Sequence, residues 1–300
     1  MIAPSPDLAA AYAYCGRLVR THYENFPVAS RLLPADMRPH VAAIYAFARI
    51  ADDLADEGDL APDERYRLLA EWRDRLHAAV SSSRGESRHG KHQPVFDALG
   101  HTLTSRAVPV SLLEDLVSAF EQDIETVRYS TWDEVLDYCR RSANPVGRIV
   151  LRIAGCATPE LDRASDSVCT ALQLTNFWQD LEGDWHRGRL YVPTSLLDEA
   201  GASTAELDAR RLGPEWRWAL GRVTAWTRDL FRDGRRVCDG VPGRLGWELR
   251  CTWLGGLAIL DRLEASGFDV FDRRPTLGWL DYPRILWEAG TWRPHASPGR

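Results

Sequence analysis

Hydrophobic residues recur along most of this chain at intervals of three and four, the spacing that gathers them on one face of an α-helix. The pattern predicts amphipathic helices over residues 7–20, 65–80, 110–129 and 216–238. Residues 249–264 are strongly apolar, above all over 251–260, and predict a core helix in which Gly255 and Gly256 would allow close helix approach. No segment shows the period-two alternation that is typical of a half-buried strand. The chain is therefore predicted to be all-α, with about ten helices in one domain.

Short polar and proline-containing segments indicate where helices begin and break. Thr131 followed by Glu134 has the form of a capping box, and so has Ser203 followed by Glu206. Asn-Pro-Val-Gly at 144–147 is predicted to break or kink the helix that starts near Thr131.

Three segments are expected along the chain: a leading helix in 1–21, a helical domain over 22–275 and a C-terminal tail over 276–300. The last fifteen residues are rich in Pro and Gly, and we expect them to be poorly ordered. Arg273 and Arg274 precede this tail, and the pattern there favours an exposed basic turn.

Composition narrows the possible functions. Hydrophobic residues make up 45% of the chain, enough for a packed core, and the net charge of −6 argues against a nucleic-acid partner. No apolar run reaches the roughly 18 residues that a membrane span needs. The N-terminus lacks the basic and apolar regions of a secretory signal. The six cysteines are scattered, which is typical of small core residues in a reducing cytoplasm.

An acidic motif in the second half of the chain carries candidate chemistry. Asn176, Asp180 and Asp184 step by four residues, so one helix over 165–185 would point all three in the same direction. Carboxylates one turn apart repel, and Mg²⁺, which prefers hard oxygen ligands, would compensate for that repulsion. Arg187 follows directly and could pair with phosphate oxygens. The alternative for this motif alone is a solvated acidic helix face.

A second copy of the pattern in the first half of the chain favours a metal site over a solvated helix face. Tyr45, Arg49, Asp52 and Asp56 form one helical stripe that prolongs the apolar segment 41–50. Charges that extend a buried-looking helix usually face partners rather than bulk water. Two such helices could face each other across a pocket and hold metal ions around a diphosphate.

With these two motifs, the chain resembles the squalene/phytoene synthase family, the head-to-head prenyl synthases, from about His22 to Phe271. The resemblance implies a single-domain isoprenoid synthase fold around a central apolar cavity. It also implies that both motifs bind two or three Mg²⁺ ions together with the substrate diphosphate. The implied metal ligands are Asp52, Asp56, Asn176, Asp180 and Asp184.

The resemblance also implies roles for residues outside the metal site. Arg49 and Arg187 would hold the diphosphate, and Gln179 and Tyr191 would contact the substrate. Arg273 or Arg274 could also reach the diphosphate, although the exposed basic turn is the favoured interpretation there. The residues implied to line the hydrocarbon pocket are Phe26, Tyr45 and Tyr138. Catalysis would depend on the four aspartates together with the two tyrosines of this pocket. Core packing is the alternative for Phe26, and an ordinary helix bend with a buried tyrosine is the alternative for Tyr138 and the break after it.

Details of the motifs separate subgroups of the family. The segments 22–27, 45–49, 144–147 and 176–180 resemble hydroxysqualene synthases of bacterial squalene and hopanoid biosynthesis. Phytoene and presqualene diphosphate synthases typically have arginine where Gln179 stands. The resemblance implies Mg²⁺-dependent ionisation of presqualene diphosphate and capture of the cation by water, without NADPH. A presqualene diphosphate synthase, a phytoene or dehydrosqualene synthase, and a catalytically silent scaffold protein are the alternatives.

The same resemblance implies partners and location. The prenyl diphosphate substrate would come from an upstream synthase, and the product would pass to a downstream reductase. The substrate and product are very apolar, so we expect a cytoplasmic protein with at most peripheral contact at the inner face of the membrane.

Overall fold

The computed structural model describes residues 5–22, 33–81, 90–271 and 273–293, and almost all of its regular structure is helical. The helices within these ranges are α1 (Pro6–His22), α2 (Arg38–Asp56), α3 (Pro62–Ser81), α4 (Gln93–Ser105), α5 (Ser111–Asp123), α6 (Trp132–Ser142), α7 (Asn144–Ile153), α8 (Pro159–Gln179), α9 (Leu181–His186), α10 (Thr194–Ala200), α11 (Ala205–Asp208), α12 (Pro214–Gly234), α13 (Arg236–Gly240), α14 (Gly243–Ala265) and α15 (Asp281–Gly290). An isolated bridge joins Arg128 and Leu190. The predicted all-α class is confirmed.

Two compact units divide the chain. The first comprises Met1–Glu125 and Pro145–Ala157, and the second comprises Thr126–Asn144 and Thr158–Arg300. Within the described residues, no helix is both long enough and apolar enough to cross a lipid bilayer.

In the first unit, α2 is surrounded by α1, α3, α4 and α5. Its core is aromatic: the fully buried Phe47 ring stacks on Trp72 at 5.6 Å and meets Phe96 edge-on at 6.1 Å between ring centroids. Two turns earlier on the same face of α2, His40 is hydrogen-bonded at 3.1 Å to the Tyr12 hydroxyl of α1, which also bonds to Thr102 of α4 at 3.0 Å. These contacts bury one side of α2 and leave the other side for its charged residues.

In the second unit, α8 packs against α12 along its length and against α14. Small residues make this possible. A Cβ atom added at Gly234 of α12 would lie 2.7 Å from the Ala164 carbonyl oxygen, and one added at Gly256 of α14 would lie 2.4 Å from Phe231. The predicted close helix approach at Gly256 is therefore confirmed, because any side chain there would collide with the α12 ring.

Several predicted boundaries differ from the structure. The helix predicted over 110–129 is α5, which ends at Asp123, and the helix predicted over 216–238 is broken at Arg235 into α12 and α13. The C-terminal tail contains α15, so the expectation of disorder over the last fifteen residues is wrong for 286–290, where the helix packs on α14.

The two predicted capping boxes differ in outcome. Thr131 Oγ1 accepts a hydrogen bond from the Glu134 N–H at 3.3 Å, so the cap of α6 is confirmed. The Glu134 carboxylate accepts from the Ser130 N–H at 2.6 Å, one residue before the expected partner. The box at Ser203 is wrong, since the Glu206 carboxylate accepts from the Gly213 N–H instead.

A buried carboxylate in α14 leads to a prediction about stability. Glu248 is 8% exposed, its Oε2 has no hydrogen-bond partner among the described residues, and burial raises its pKa to about 7, with Arg244 opposing the shift. The folded state therefore holds this proton more tightly than the unfolded chain. Stability from this group is present below its unfolded pKa near 4.5 and is lost as pH rises through about 7.

We therefore expect Glu248→Gln to raise the free energy of unfolding at pH 8 by about 2 kcal/mol, and to change it much less at pH 4.5. Urea unfolding of both proteins at the two pH values measures this. An equal effect of the substitution at both pH values would show that Glu248 ionises normally in the folded state.

Candidate active site

The first aspartate motif lies on the charged side of α2. Arg49 is at its centre: Nη2 lies 2.6 Å from Asp53 Oδ1 and 2.8 Å from Glu57 Oε1, and Nη1 lies 3.3 Å from Asp52 Oδ2. The Nε atom of Arg49 is buried, and the described part of the chain gives it no hydrogen-bond partner. Three acidic side chains thus fix the guanidinium through its two Nη atoms, and the diphosphate role of Arg49 stays a prediction.

The other residues of this motif have the expected exposure. Asp52 and Tyr45 are half-buried and Asp56 is exposed, so both carboxylates can be reached from solvent. Burial raises the pKa of Tyr45, and the nearby Arg49 opposes that shift, so the phenol stays neutral at physiological pH. Two accessible carboxylates are the donor set that Mg²⁺ uses together with water and phosphate oxygens.

The second aspartate motif does not lie on one continuous helix, as the sequence predicted. Helix α8 ends at Gln179 and α9 begins at Leu181, and Asp180 between them has φ −101° and ψ 13°. Aspartate favours helix ends because its side chain competes with the backbone for hydrogen bonds. The turn is nevertheless kept, since the Asp184 N–H donates to the Asp180 carbonyl at 2.9 Å. Asn176 Nδ2 donates to Asp180 Oδ2 at 2.9 Å, which brings these two predicted ligands together.

Arg274 is a site residue whose pairing the sequence did not reveal. Its guanidinium contacts both carboxylate oxygens of Asp180, through Nε to Oδ1 and through Nη2 to Oδ2 at 3.0 Å. Pro275, which follows Arg274, is also bonded to this region, because Gln179 Nε2 donates a hydrogen bond to the Pro275 carbonyl. Arg274 is exposed, as the predicted basic turn implies, and it is nevertheless paired with a residue of the second motif. More than 90 residues separate the partners, and helical periodicity carries no signal over that distance.

The carboxyl group of Asp184 is perturbed by its surroundings. Burial and the neighbouring Asp180 carboxylate raise the pKa of Asp184 to about 6, although Arg187, Arg189 and Arg274 oppose the shift. Arg187 itself is exposed on the turn after α9, where it could reach an anion bound beside the motif. The shift results chiefly from burial, so a metal ion bound beside Asp184 would stabilise the ionised carboxylate.

Within the described residues, no three His, Cys, Asp or Glu side chains converge as a metal cluster. Each motif instead offers two carboxylates, and the second adds the Asn176 amide. This donor set fits a magnesium site in which a substrate diphosphate supplies further oxygens. Asp52 and Asp56 belong to the first unit and Asp180 and Asp184 to the second. Their meeting over one diphosphate stays a prediction.

A buried aromatic cluster lies next to the second motif. It consists of Tyr129, Tyr138, Phe177 and Tyr191. The rings of Phe177 and Tyr191 stack face to face with centroids 3.6 Å apart, and Tyr138 lies 6.1 and 6.0 Å from them. The structure thus unites Tyr138 and Tyr191, which were singled out from the sequence. Phe177 was missed, although it is one of the buried residues of α8, directly after the exposed Asn176.

Backbone pairing between two distant segments positions Tyr191. The Leu190 N–H donates to the Val127 carbonyl and the Thr194 N–H donates to the Tyr129 carbonyl, both at 2.9 Å. Arg128 stacks over the Trp185 ring at 4.8 Å and donates to the Gly188 carbonyl. The turn after α9 is therefore fixed, and the Tyr191 ring is directed into the cluster.

The predicted break near 144–147 is confirmed. Helix α6 ends at Ser142 and α7 begins at Asn144, whose Oδ1 accepts a hydrogen bond from Thr170 Oγ1 of α8 at 2.9 Å. Tyr138 lies in the last turns of α6, one turn before the break. Phe26, the remaining predicted pocket residue, lies outside the described residues.

Comparisons with known proteins agree with this picture. The squalene/phytoene synthase family model matches residues 19–281. The hydroxysqualene synthase of Rhodopseudomonas palustris is 37% identical over 233 residues, covering 77% of this chain and 76% of that protein. The hydroxysqualene synthase of Zymomonas mobilis is 35% identical over 247 residues, covering 81% and 77%. The crystal structure of squalene synthase HpnC from Alicyclobacillus acidocaldarius superposes with a TM-score of 0.82 at 38% identity, covering 90% of this chain and 98% of that one.

Proposed function

Because the chain belongs to the squalene/phytoene synthase family, we propose that it converts presqualene diphosphate and water into hydroxysqualene and inorganic diphosphate. Family membership makes the chain an isoprenoid synthase, an enzyme whose substrates are prenyl diphosphates. The finer proposal is supported by the two relatives named hydroxysqualene synthase and by one residue, Gln179. Synthases that combine two prenyl diphosphates typically have arginine at that position.

The observation that carries the proposal is the bond from Gln179 to the Pro275 carbonyl. The bond places the side-chain amide of Gln179 beside Pro275, and because an amide is neutral, position 179 contributes no positive charge beside the second motif. An enzyme that handles one diphosphate at a time has less anionic charge to neutralise than one that accommodates two. We infer from charge alone that glutamine in place of arginine at position 179 suits a substrate with one diphosphate.

In the proposed reaction, the bond between the cyclopropylcarbinyl carbon and the diphosphate oxygen breaks, and its electron pair leaves with the diphosphate. The residues that would hold Mg²⁺ are Asp52, Asp56, Asn176, Asp180 and Asp184. The ion, when bound, would neutralise charge on the leaving group. Arg49, Arg187 and Arg274 would bind diphosphate oxygens directly.

The carbocation must then rearrange without premature contact with water. The cluster of Tyr129, Tyr138, Phe177 and Tyr191 offers ring faces that stabilise positive charge, and its burial excludes solvent. The family resemblance implies the same role for Tyr45 of the first motif. Water finally adds to the rearranged cation and loses a proton. No hydride donor takes part, so NADPH is not required.

The test is to incubate the purified protein with presqualene diphosphate and Mg²⁺ in H₂¹⁸O, without NADPH. We expect hydroxysqualene that carries one ¹⁸O atom, together with one equivalent of inorganic diphosphate, and no product when EDTA replaces Mg²⁺. Mass spectrometry of the organic extract measures both. Formation of presqualene diphosphate from farnesyl diphosphate, or of phytoene from a C20 diphosphate, would instead assign the chain to one of the coupling subgroups.

A silent scaffold protein would give a different result in a simple binding assay. An active site of the proposed kind should be stabilised against heat by Mg²⁺ with inorganic diphosphate, because the pair binds only the folded state. A scaffold protein would show no rise in melting temperature with Mg²⁺ and diphosphate, and it would form no product from any of these prenyl diphosphates.

A further inference from the structure

Helix α15 presents an apolar stripe to solvent on the face opposite its packed side. Ile285 and Ala289 are buried against the second unit. The exposed residues are Trp279 (79%), Leu280 (68%), Leu286 (39%) and Trp287 (72%), called here the α15 stripe. Leu280, Leu286 and Trp287 follow Trp279 by one, seven and eight residues. This spacing places all four on one side of the helix and of the turn before it. Two exposed tryptophans on the same side of one short segment are unusual on a surface that faces only water.

Polar contacts hold this helix in place at both ends. Asp281 at its start is paired with Arg262 of α14 at 2.5 Å and accepts from the Gly278 N–H at 2.6 Å. Trp292, just after its end, donates from Nε1 to Asp239 Oδ1 at 2.7 Å. The stripe is therefore a fixed feature of the second unit, and its outward direction does not result from a loosely attached tail.

The charge around the stripe is positive, although the whole chain has a net charge of −6. Residues 273–293 contain four arginines (Arg273, Arg274, Arg284 and Arg293) and two acids (Asp281 and Glu288), so their net charge is 4 − 2 = +2. Adding the ion-pair partners Arg262 and Asp180 leaves it at 5 − 3 = +2. A basic segment with exposed tryptophans on an acidic protein complements an anionic surface.

We propose that the α15 stripe seats this protein on the surface of an anionic lipid bilayer. Tryptophan is the side chain that best suits the boundary between headgroups and acyl chains, and leucine adds apolar depth beside it. A helix of ten residues is about 15 Å long, so it lies along the surface and cannot span the bilayer. The flanking arginines lie beside lipid phosphates.

A second copy of this chain is the less suitable occupant. In a two-fold symmetric dimer the stripe would meet itself, so the two segments of charge +2 would lie against each other. Anionic lipid removes that repulsion. The proposal concerns binding alone and does not depend on which prenyl diphosphate the enzyme converts.

The experiment is flotation of the full-length protein with vesicles of phosphatidylethanolamine and phosphatidylglycerol, compared with vesicles of phosphatidylcholine. The parent protein should float with the anionic vesicles and bind the neutral ones more weakly. Trp279→Ala/Trp287→Ala should lower binding to the anionic vesicles at least about tenfold. Trp218→Ala removes an exposed tryptophan from α12 in the same unit and should bind like the parent protein. Thermal melts of all variants check that each is folded.

Two outcomes would overturn the proposal. One is binding of the double variant that equals binding of the parent protein, and the other is a parent protein that floats with neither vesicle. In the second case, sedimentation velocity would show whether the stripe joins two copies, through a dimer that the double variant abolishes.

Discussion

Replacing Asp180 by asparagine is expected to lower kcat about a thousandfold and to leave the protein folded. Asp180 lies where two polar side chains converge, with Asn176 on one carboxylate oxygen and Arg274 on both. The substitution removes the negative charge that would hold the cation at the leaving diphosphate, and loss of one such electrostatic contact typically costs two to three orders of magnitude in rate. The pair with Arg274 is half exposed, so its loss should change stability by less than about 1 kcal/mol.

The comparison variant is Asp198→Asn, which neutralises an exposed aspartate on α10 of the same unit. It should keep the parent kcat. Steady-state release of inorganic diphosphate measures turnover, and thermal melts with and without Mg²⁺ and diphosphate measure binding. If Asp180→Asn turned over at near the parent rate, the metal role given to this motif would be wrong. If Asp180→Asn lost turnover but was still fully stabilised by Mg²⁺ and diphosphate, Asp180 would act in the chemical step and would not be needed to bind the ion and the diphosphate.

Replacing Phe177 by alanine should lower the free energy of unfolding by about 4 kcal/mol and should also reduce kcat. The ring is buried and lies between Tyr191, on which it stacks at 3.6 Å, and Tyr138. Its removal leaves a cavity and allows the two tyrosines to move. The aromatic cluster that we propose to surround the carbocation would then change shape and would admit water. Urea unfolding measures the first effect, and product analysis measures the second.

Phe231→Ala separates these two effects. Phe231 is equally buried in the second unit, where it contacts Gly256 of α14 and the edge of Trp253 at 6.3 Å, away from the aromatic cluster. We expect a similar loss of stability and, at a temperature where both variants are folded, a kcat close to that of the parent protein. Equal losses of kcat in the two variants would indicate general loosening. If Phe177→Ala does not fold, Phe177→Leu and Phe231→Leu provide the same comparison at lower cost in stability.

Local patterns were enough to predict most of the helices and the residues of both aspartate motifs. The break at 144–147 and the close approach at Gly256 follow from the chemistry of proline and glycine, which acts at the residue itself. Tyr138 and Tyr191 were found through the family resemblance. The sequence signals for the helices, the break and the close approach each lie within one or two helical turns of the feature that they predict.

The features that were missed depend on partners that are distant in sequence. The interruption of α8 at Asp180 coincides with Arg274 on its carboxylate, and nothing within a helical turn of Asp180 indicates that contact. Phe177 and Tyr129 joined the cluster because separate segments converge on Tyr191. The polarity of Ser203 and Glu206 suggested a cap, but Gly213 offered the glutamate a better-placed donor. Tertiary contacts override local preference at each of these positions.

The acidic residues of the first motif occupy the final turns of α2, and no basic residue lies in its last turn. The carbonyl end of a helix carries partial negative charge, so Asp52, Asp53, Asp56 and Glu57 stand at the end where acidic side chains are least favourable. Substitutions that introduce lysine or arginine there should therefore be selected by any screen for thermal robustness. The same substitutions would cancel the negative field to which a cation is attracted. Engineering this enzyme for heat tolerance should accordingly begin elsewhere, because at this helix end durability and turnover demand opposite charges.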